Sequence, residues 1–269
     1  MGTVKNIQRL LMAAVLSGLW LGWIGFGPGT DQAAGASLSS AVTTERKTVA
    51  SCSVPGSLEG VDVNQSDGTI DWAQVAQTKA FAYAKASDGP TYADPAFLTN
   101  YAGIKQAAMK AGAYLFFHPG QDPTQQANLL VSQLLKAGFS AGDLVPMIDV
   151  EHTDGKTSQE IAASLQTAVD VVKSSLLVTP GIYSYAGFFA TPTAWTAFAG
   201  NPLWIAYFSA NCPTVPLPWT DWAIWQYSDT GTVPGIPLSS VDHDRSNGAS
   251  LPVFTGSRRT FLPLITSNR

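Results

Sequence analysis

The sequence is short of charge. Only 13% of its 269 residues are Asp, Glu, Lys or Arg, no run of basic residues exceeds two, and the formal net charge is −4. A chain with no basic patch lacks the electrostatic footprint of a nucleic-acid binder. At 45% hydrophobic it is equally far from a disordered composition, and it is long enough to bury a full core. Cysteine and histidine are scarce too: Cys52 and Cys212 are the only thiols, and His118, His152 and His243 are dispersed with no ligand pair at helical spacing. No metal or cofactor is expected from such a set. The run DVNQSDG (62 to 68) approaches a calcium loop, but its glycine falls in the seventh place instead of the sixth. Beyond Gly27 no apolar run is long enough to span a bilayer.

The N-terminus is different. Lys5 and Arg9 precede an apolar run from Leu10 to Gly27, followed by Pro28, Gly29 and Thr30 and then by Ala34, Gly35 and Ala36. This is the order of charged region, apolar region and cleavage site in a secretory signal peptide, expected over residues 1 to 36. An uncleaved anchor is the alternative, since the run meets the ~18-residue length of a spanning helix. Residues 37 to 56 read as a polar linker. Cleavage would remove Lys5, Arg9 and Asp31, leaving 13 basic and 18 acidic residues and a net charge of −5. In an exported chain an even pair of cysteines is expected to bridge, Cys52 to Cys212, with two unpaired thiols as the alternative.

From Gly56 to Gly248 short apolar runs recur: LEGVDV (58 to 63), AFAYAKA (80 to 86), AGAYLFF (111 to 117), LVPMIDV (144 to 150), VTPGIYS (178 to 184), PLWIAYF (202 to 208), WAIWQYS (222 to 228) and LSSVDHD (238 to 244). Eight such runs suggest a closed barrel. The early connections have helical spacing, in Phe97, Tyr101, Ile104 and Ala108, in Gln125 to Lys136, and in Ile161, Leu165, Ala168 and Val172. These are parallel β/α units. After Phe208 the prolines at 213, 216, 218, 234 and 237 leave no room for helices, so five β/α units followed by three bare strands is the expected order. The folded part is read as one barrel over residues 57 to 248, with a tail from 249 to 269.

In such barrels functional groups sit at the C-terminal strand ends. Side chains alternate along a strand, so Asp149 and Glu151 share one face at the mouth. Asp62 and Asp242 are expected at the same level on the first and last strands. Crowded carboxylates cannot all ionise, and one that keeps its proton is a potential acid at neutral pH. Paired carboxylates of this kind serve glycoside hydrolysis. A nucleophilic triad is the weaker reading. Aromatic residues recur near the strand ends, and flat rings stack on sugars. Tyr83, Tyr114, Tyr183, Tyr185, Trp204, Tyr207 and Tyr227 are candidate substrate contacts, joined by Lys85 and Gln226, with Tyr183, Tyr185, Trp204 and Tyr227 as pocket walls.

The blocks GVDVNQSDGTIDW, FAYAKASDG, DPAF, GAYLFFHP, MIDVE, GIYSY, LWIAYF, WAIWQYS and VDHD, in this order, resemble family 25 glycoside hydrolases, the Chalaropsis-type lysozymes or N-acetylmuramidases. The resemblance implies an α/β fold, a flattened TIM-like (β/α)5(β)3 barrel in a single domain. It also implies cleavage of the β-1,4 bond from N-acetylmuramic acid to N-acetylglucosamine in peptidoglycan. Glu151 would then be the proton donor. Asp149 would hold the substrate N-acetyl group or support charge at the anomeric carbon, and Asp62 and Asp242 would shape the remaining electrostatics. Leu115 departs from the histidine that the family often has after the tyrosine, which implies an altered pocket wall. The expected partner is the peptidoglycan glycan strand, met outside the cell or at the wall by a monomer that holds to no membrane once its leader is cut. A chitinase-like hydrolase of N-acetylglucosamine polymers and a catalytically silent wall-binding module are the competing readings.

Overall fold

A computed structural model describes residues 54–209 and 211–256. The expected signal peptide, nearly all of the linker, and Cys52 lie outside the described residues. Nine strands form one sheet: β1 (Glu59–Val63), β2 (Phe81–Asp88), β3 (Tyr92–Ala93), β4 (Lys110–Phe116), β5 (Met147–Asp149), β6 (Gly181–Tyr185), β7 (Leu203–Ala206), β8 (Ile224–Ser228) and β9 (Asp242–Ser246). Their order is β1-β9-β8-β7-β6-β5-β4-β2-β3, and a further β1–β2 pairing closes the ring with β3 as a small outlying hairpin. The result is the expected eight-stranded α/β barrel. β9 alone in the ring runs antiparallel to both of its neighbours.

The helices are α1 (Trp72–Val75), α2 (Phe97–Gln106), α3 (Pro123–Lys136) and α4 (Ser158–Leu176). Their starts follow from local chemistry. Asp122 accepts from the amides of Thr124 and Gln125 ahead of Pro123, and Thr157 forms a capping box with Glu160. Ala108, expected within α2, lies past its end with φ of 59°. The first and fifth β/α units are reduced, to the single turn of α1 and to the short 3-10 turns Pro192–Ala194 and Thr196–Phe198.

Register explains how the barrel interior fills. Gly60 lies opposite Phe81, Gly112 opposite Tyr83, and Gly181 opposite Met147. A Cβ built on each glycine would fall 2.3, 2.3 and 2.2 Å from its partner's side chain. Each large inward side chain therefore occupies the space that its neighbour's missing Cβ leaves. Tyr83 in turn stacks on Trp204 with centroids 4.9 Å apart. Small outward residues on β2 and β4, Ala82, Ala84, Ala111 and Ala113, are fully buried or nearly so beside the helical layer.

The chain enters and leaves the barrel at its floor, where Leu58 and Ser246 bond in both directions. Residues 249 to 256, the first part of the expected tail, lie against the fold. Leu144 bridges Val253, and Phe254 stacks on Phe139 at 5.1 Å. The run 62 to 68 is a capped turn, with Asn64 accepting from the Ser66 amide and Asp67 accepting from the Asn64 amide. Among the described residues no helix is long and apolar enough to cross a membrane.

Gly112→Ala should lower stability by about 1–3 kcal/mol through the clash with Tyr83. The midpoint of urea unfolding measures this, and an unchanged midpoint would show that the ring is not held there.

Candidate active site

Alternation along the closed ring brings Asp62, Tyr83, Lys85, Tyr114, Asp149, Tyr183, Tyr185, Trp204, Gln226 and Asp242 to its inner face. Because β9 descends from the mouth, Asp242 stands at its first residue, in register with Asp62 at the upper end of β1. Glu151 follows β5, partly exposed, while Asp149 at the end of β5 is only 5% exposed. The two carboxyl groups hydrogen-bond to each other. Such a bond needs a proton. Burial, followed by the charge of Glu151 and this bond, pushes the Asp149 carboxyl well above the usual carboxylate range.

Neutral donors support the opposite wall. The Gln226 amide donates to Asp62 Oδ2 at 2.7 Å, and the Tyr183 hydroxyl donates to Gln226 Oε1 at 2.8 Å. Burial, together with the charges of Glu151, Asp149, Asp62 and Asp242, holds the Tyr183 phenol well above its ordinary value, so it stays protonated and able to donate. Tyr114 is raised in the same way by burial and by Asp62, Asp149 and Asp242. Tyr185 is half-buried above them, within the field of Glu151.

Not every expected contact lies in the open pocket. Tyr83 and Trp204 are 0% and 2% exposed and form the floor beneath the carboxylates, with Tyr183 edge-on to Trp204 at 4.7 Å. Tyr227 is on the outer face of β8, because Gln226 takes the inward position. Its hydroxyl donates to Glu59 Oε2 at 2.7 Å, and its ring lies beneath Arg245. It is therefore no pocket wall. Leu115, fully buried, faces away from the pocket for the same reason, since Tyr114 and Phe116 point inward. Tyr207 follows β7 partly exposed, and its carbonyl accepts from Trp225 Nε1.

Two groups were not singled out from the sequence. Asp244, two residues below Asp242, is fully buried on the inner face and accepts from Trp204 Nε1 at 2.9 Å. The same two-residue spacing that marks Asp149 and Glu151 also marks Asp242 and Asp244. The second group brings together two of the dispersed histidines. His118 and His152 have rings 6.0 Å apart and both pack against Phe116. His118 Nε2 lies 2.8 Å from Asp88 Oδ1, and Asp88 also accepts from Lys85 at 2.8 Å. Burial opposes ionisation of Asp88, but Lys85 and His118 outweigh it and hold the carboxyl below its usual range. Asp154 accepts from the Gly120 amide, so the loop after Glu151 is tied to the loop after β4. His243 lies on the outer face beside Lys79, at 3.2 Å.

Among the described residues no three His, Cys, Asp or Glu side chains are arranged to hold a metal ion. The chain does contain a Gly-x-Ser-x-Gly run, Gly138 to Gly142, but it follows α3 instead of a strand. There Ser140 Oγ bonds to Lys105 and Asp143, with no histidine among its hydrogen-bond partners, so no nucleophile elbow is formed.

The crowding of the mouth gives a stability prediction. Asp149 has a raised folded pKa, so its ionisation opposes folding above the unfolded value of 3.8 and has no effect well below it. Asp149→Asn should therefore melt above the parent at pH 7, with the gap closing near about pH 3.5. A parent that melts higher at both pH values would contradict the buried strain.

Sequence and structure comparisons agree with this geometry. Residues 61–236 match Glycosyl hydrolases family 25. Lysozyme M1 of Streptomyces globisporus is 29% identical over 250 residues, which cover 88% of this chain and 82% of the relative. The N,O-diacetylmuramidase of Chalaropsis sp is 27% identical, over 64% of this chain and 88% of the relative. The crystal structure of a bacterial lysozyme from Streptomyces coelicolor superposes with a TM-score of 0.68 at 30% identity, over 74% of this chain and 95% of that one. With the family's match spanning the barrel from β1 to the turn after β8, and the carboxyl groups gathered at its mouth, the chain belongs to family 25 of the glycosyl hydrolases.

Proposed function

We propose that the chain is a muramidase that cleaves the β-1,4 bond between N-acetylmuramic acid and N-acetylglucosamine in peptidoglycan. The observation that carries this reading is the hydrogen-bonded pair Asp149 and Glu151 at the barrel mouth, the first buried and the second open to the pocket. Its shared proton is available to Glu151 for transfer to the glycosidic oxygen as the bond to the anomeric carbon breaks. Two carboxyl groups in direct contact lie on one side of that bond. They do not have the separation of about 5 to 9.5 Å seen when the carboxyl groups flank it. This favours Asp149 as the group that orients the N-acetyl substituent and supports the developing positive charge. Asp62 and Asp242, across the barrel, add negative potential. Tyr114, Tyr183, Tyr185, Lys85 and Gln226 supply the polar lining, while Tyr83 and Trp204 act from beneath by fixing the floor. The lysozyme and muramidase relatives support the same substrate.

Glu151→Gln should retain the fold and lower turnover by roughly 10²–10⁴-fold. The assay is digestion of purified peptidoglycan, borohydride reduction of the products and mass spectrometry of the new reducing ends. Muramitol ends that vanish with Glu151→Gln are the expected result. Glucosaminitol ends would replace the muramidase with a glucosaminidase, cleavage of chitin oligomers alone would favour the chitinase-like reading, and wall binding without release would leave a silent module.

The enzyme works outside the membrane or at the wall as a monomer, exported by the leader over residues 1 to 36 and bridged from Cys52 to Cys212. The leader's tripartite order supports export, and the lack of any free cysteine among the described residues supports the bridge. Mass spectrometry of the exported protein should give an N-terminus at Ser37 and a mass that rises by two hydrogens on reduction. Retention of residues 1 to 36 would mean an anchor, and an unchanged mass would reject the bridge.

A further inference from the structure

Asp244 is 0% exposed and lies one layer beneath the mouth. Its Oδ1 accepts from Trp204 Nε1 at 2.9 Å, while its Oδ2 is buried without any donor. The side chain contacts the carboxyl of Asp62, which is itself 6% exposed and accepts from Gln226 at 2.7 Å. The donors to this pair, Trp204 to Asp244 and Gln226 to Asp62, are neutral. The charged and titratable groups around Asp244 are Asp62 on β1, Asp242 on its own strand, Tyr83 on β2, and Lys79 just before β2. Lys79 acts at a distance, and its ammonium is committed to Glu59 and His243 on the outer face. Two buried carboxylates in contact cannot readily both be ionised, and an acceptor oxygen without a donor in a dry interior costs about as much as a lost hydrogen bond. A single proton between Asp62 and Asp244 removes both difficulties.

We propose that Asp244 is a positioning residue for Asp62, bound to it through one shared proton, so that the pair carries a single negative charge and Asp62 is held pointing into the active site. The muramidase reading uses Asp62 as part of the site's negative wall, and the inference rests on that reading for its consequence in catalysis but not for the shared proton. Asp244 does not touch the substrate: it lies below Asp242 and has no open surface. Its effect reaches the reaction through the orientation and charge of Asp62. The site thus holds two proton-sharing carboxyl pairs, Asp149 with Glu151 and Asp62 with Asp244. The first faces the bond to be broken and the second is sealed from solvent.

The test combines a direct observation of the proton with a kinetic rescue. In the full exported chain labelled with ¹³C at aspartate Cγ, one protonated carboxyl resonance at pH 7, distinct from that of Asp149, should vanish in Asp244→Asn and persist in Asp149→Asn. Asparagine can still accept from Trp204 and donate permanently to Asp62, whereas alanine can do neither. Asp244→Ala should therefore lower kcat by about tenfold to a hundredfold with little change in KM, and Asp244→Asn should recover at least about tenfold of that loss. Absence of the protonated resonance, its survival in Asp244→Asn, or equal kcat for the two variants would each overturn the proposal. Should the alanine variant fail to fold, the resonance still decides. A parent chain that shows the resonance but releases no fragments from peptidoglycan would sink the muramidase reading and leave the shared proton in place.

Discussion

Negative charge confined in a dry space is the condition on which the rest of this structure depends. Asp62, Asp149 and Asp244 are all buried within one barrel, with Asp242 in register with Asp62 and Glu151 beyond the end of β5, and Lys85 is a cation that acts on Asp149. A hydrophobic interior penalises each ionised group, and neighbours of like sign add to the penalty. Protons held between carboxyl groups meet this constraint, as do phenols kept neutral by the same field. A carboxyl whose ionisation is opposed in this way keeps its proton at neutral pH, and so still has one to give when the leaving oxygen gains negative charge. The strain that weakens the fold is therefore the source of the chemistry.

The barrel supplies the dryness. Glycines opposite Phe81, Tyr83 and Met147 let large side chains cross the interior, and Trp204 meets Tyr83, Tyr114 and Tyr183 to seal the floor. Water is thereby kept from the underside of the carboxylates. On the outer side of β8, β9 and β1, Glu59 accepts from Tyr227 and pairs with Arg245 and Lys79. This polar layer takes the place that helices hold elsewhere around the ring.

Most of the barrel could be read from the sequence because its strands are short apolar runs and its longer helices have capped, periodic starts. The inner and outer faces were harder to assign. In WAIWQYS the polar Gln226 points inward and the aromatic Trp225 and Tyr227 point outward, the reverse of an ordinary core, because the inside of this ring is the polar site. The direction of β9 was not legible either, since parallel and antiparallel strands share one composition. Without that direction Asp244 could not be placed beneath Asp242. His118, Asp88 and Asp154 meet only through contacts between residues 30 or more positions apart, which no local pattern records.

The antiparallel strand of the ring, β9, also sets how the enzyme meets a polymer. Since β9 runs down from the mouth, the chain arrives and departs at the floor, with Leu58 and Ser246 joined there. Both ends of the barrel are thus kept on the side away from the cleft. Neither covalent connection of the barrel therefore stands between its mouth and a glycan strand laid across it.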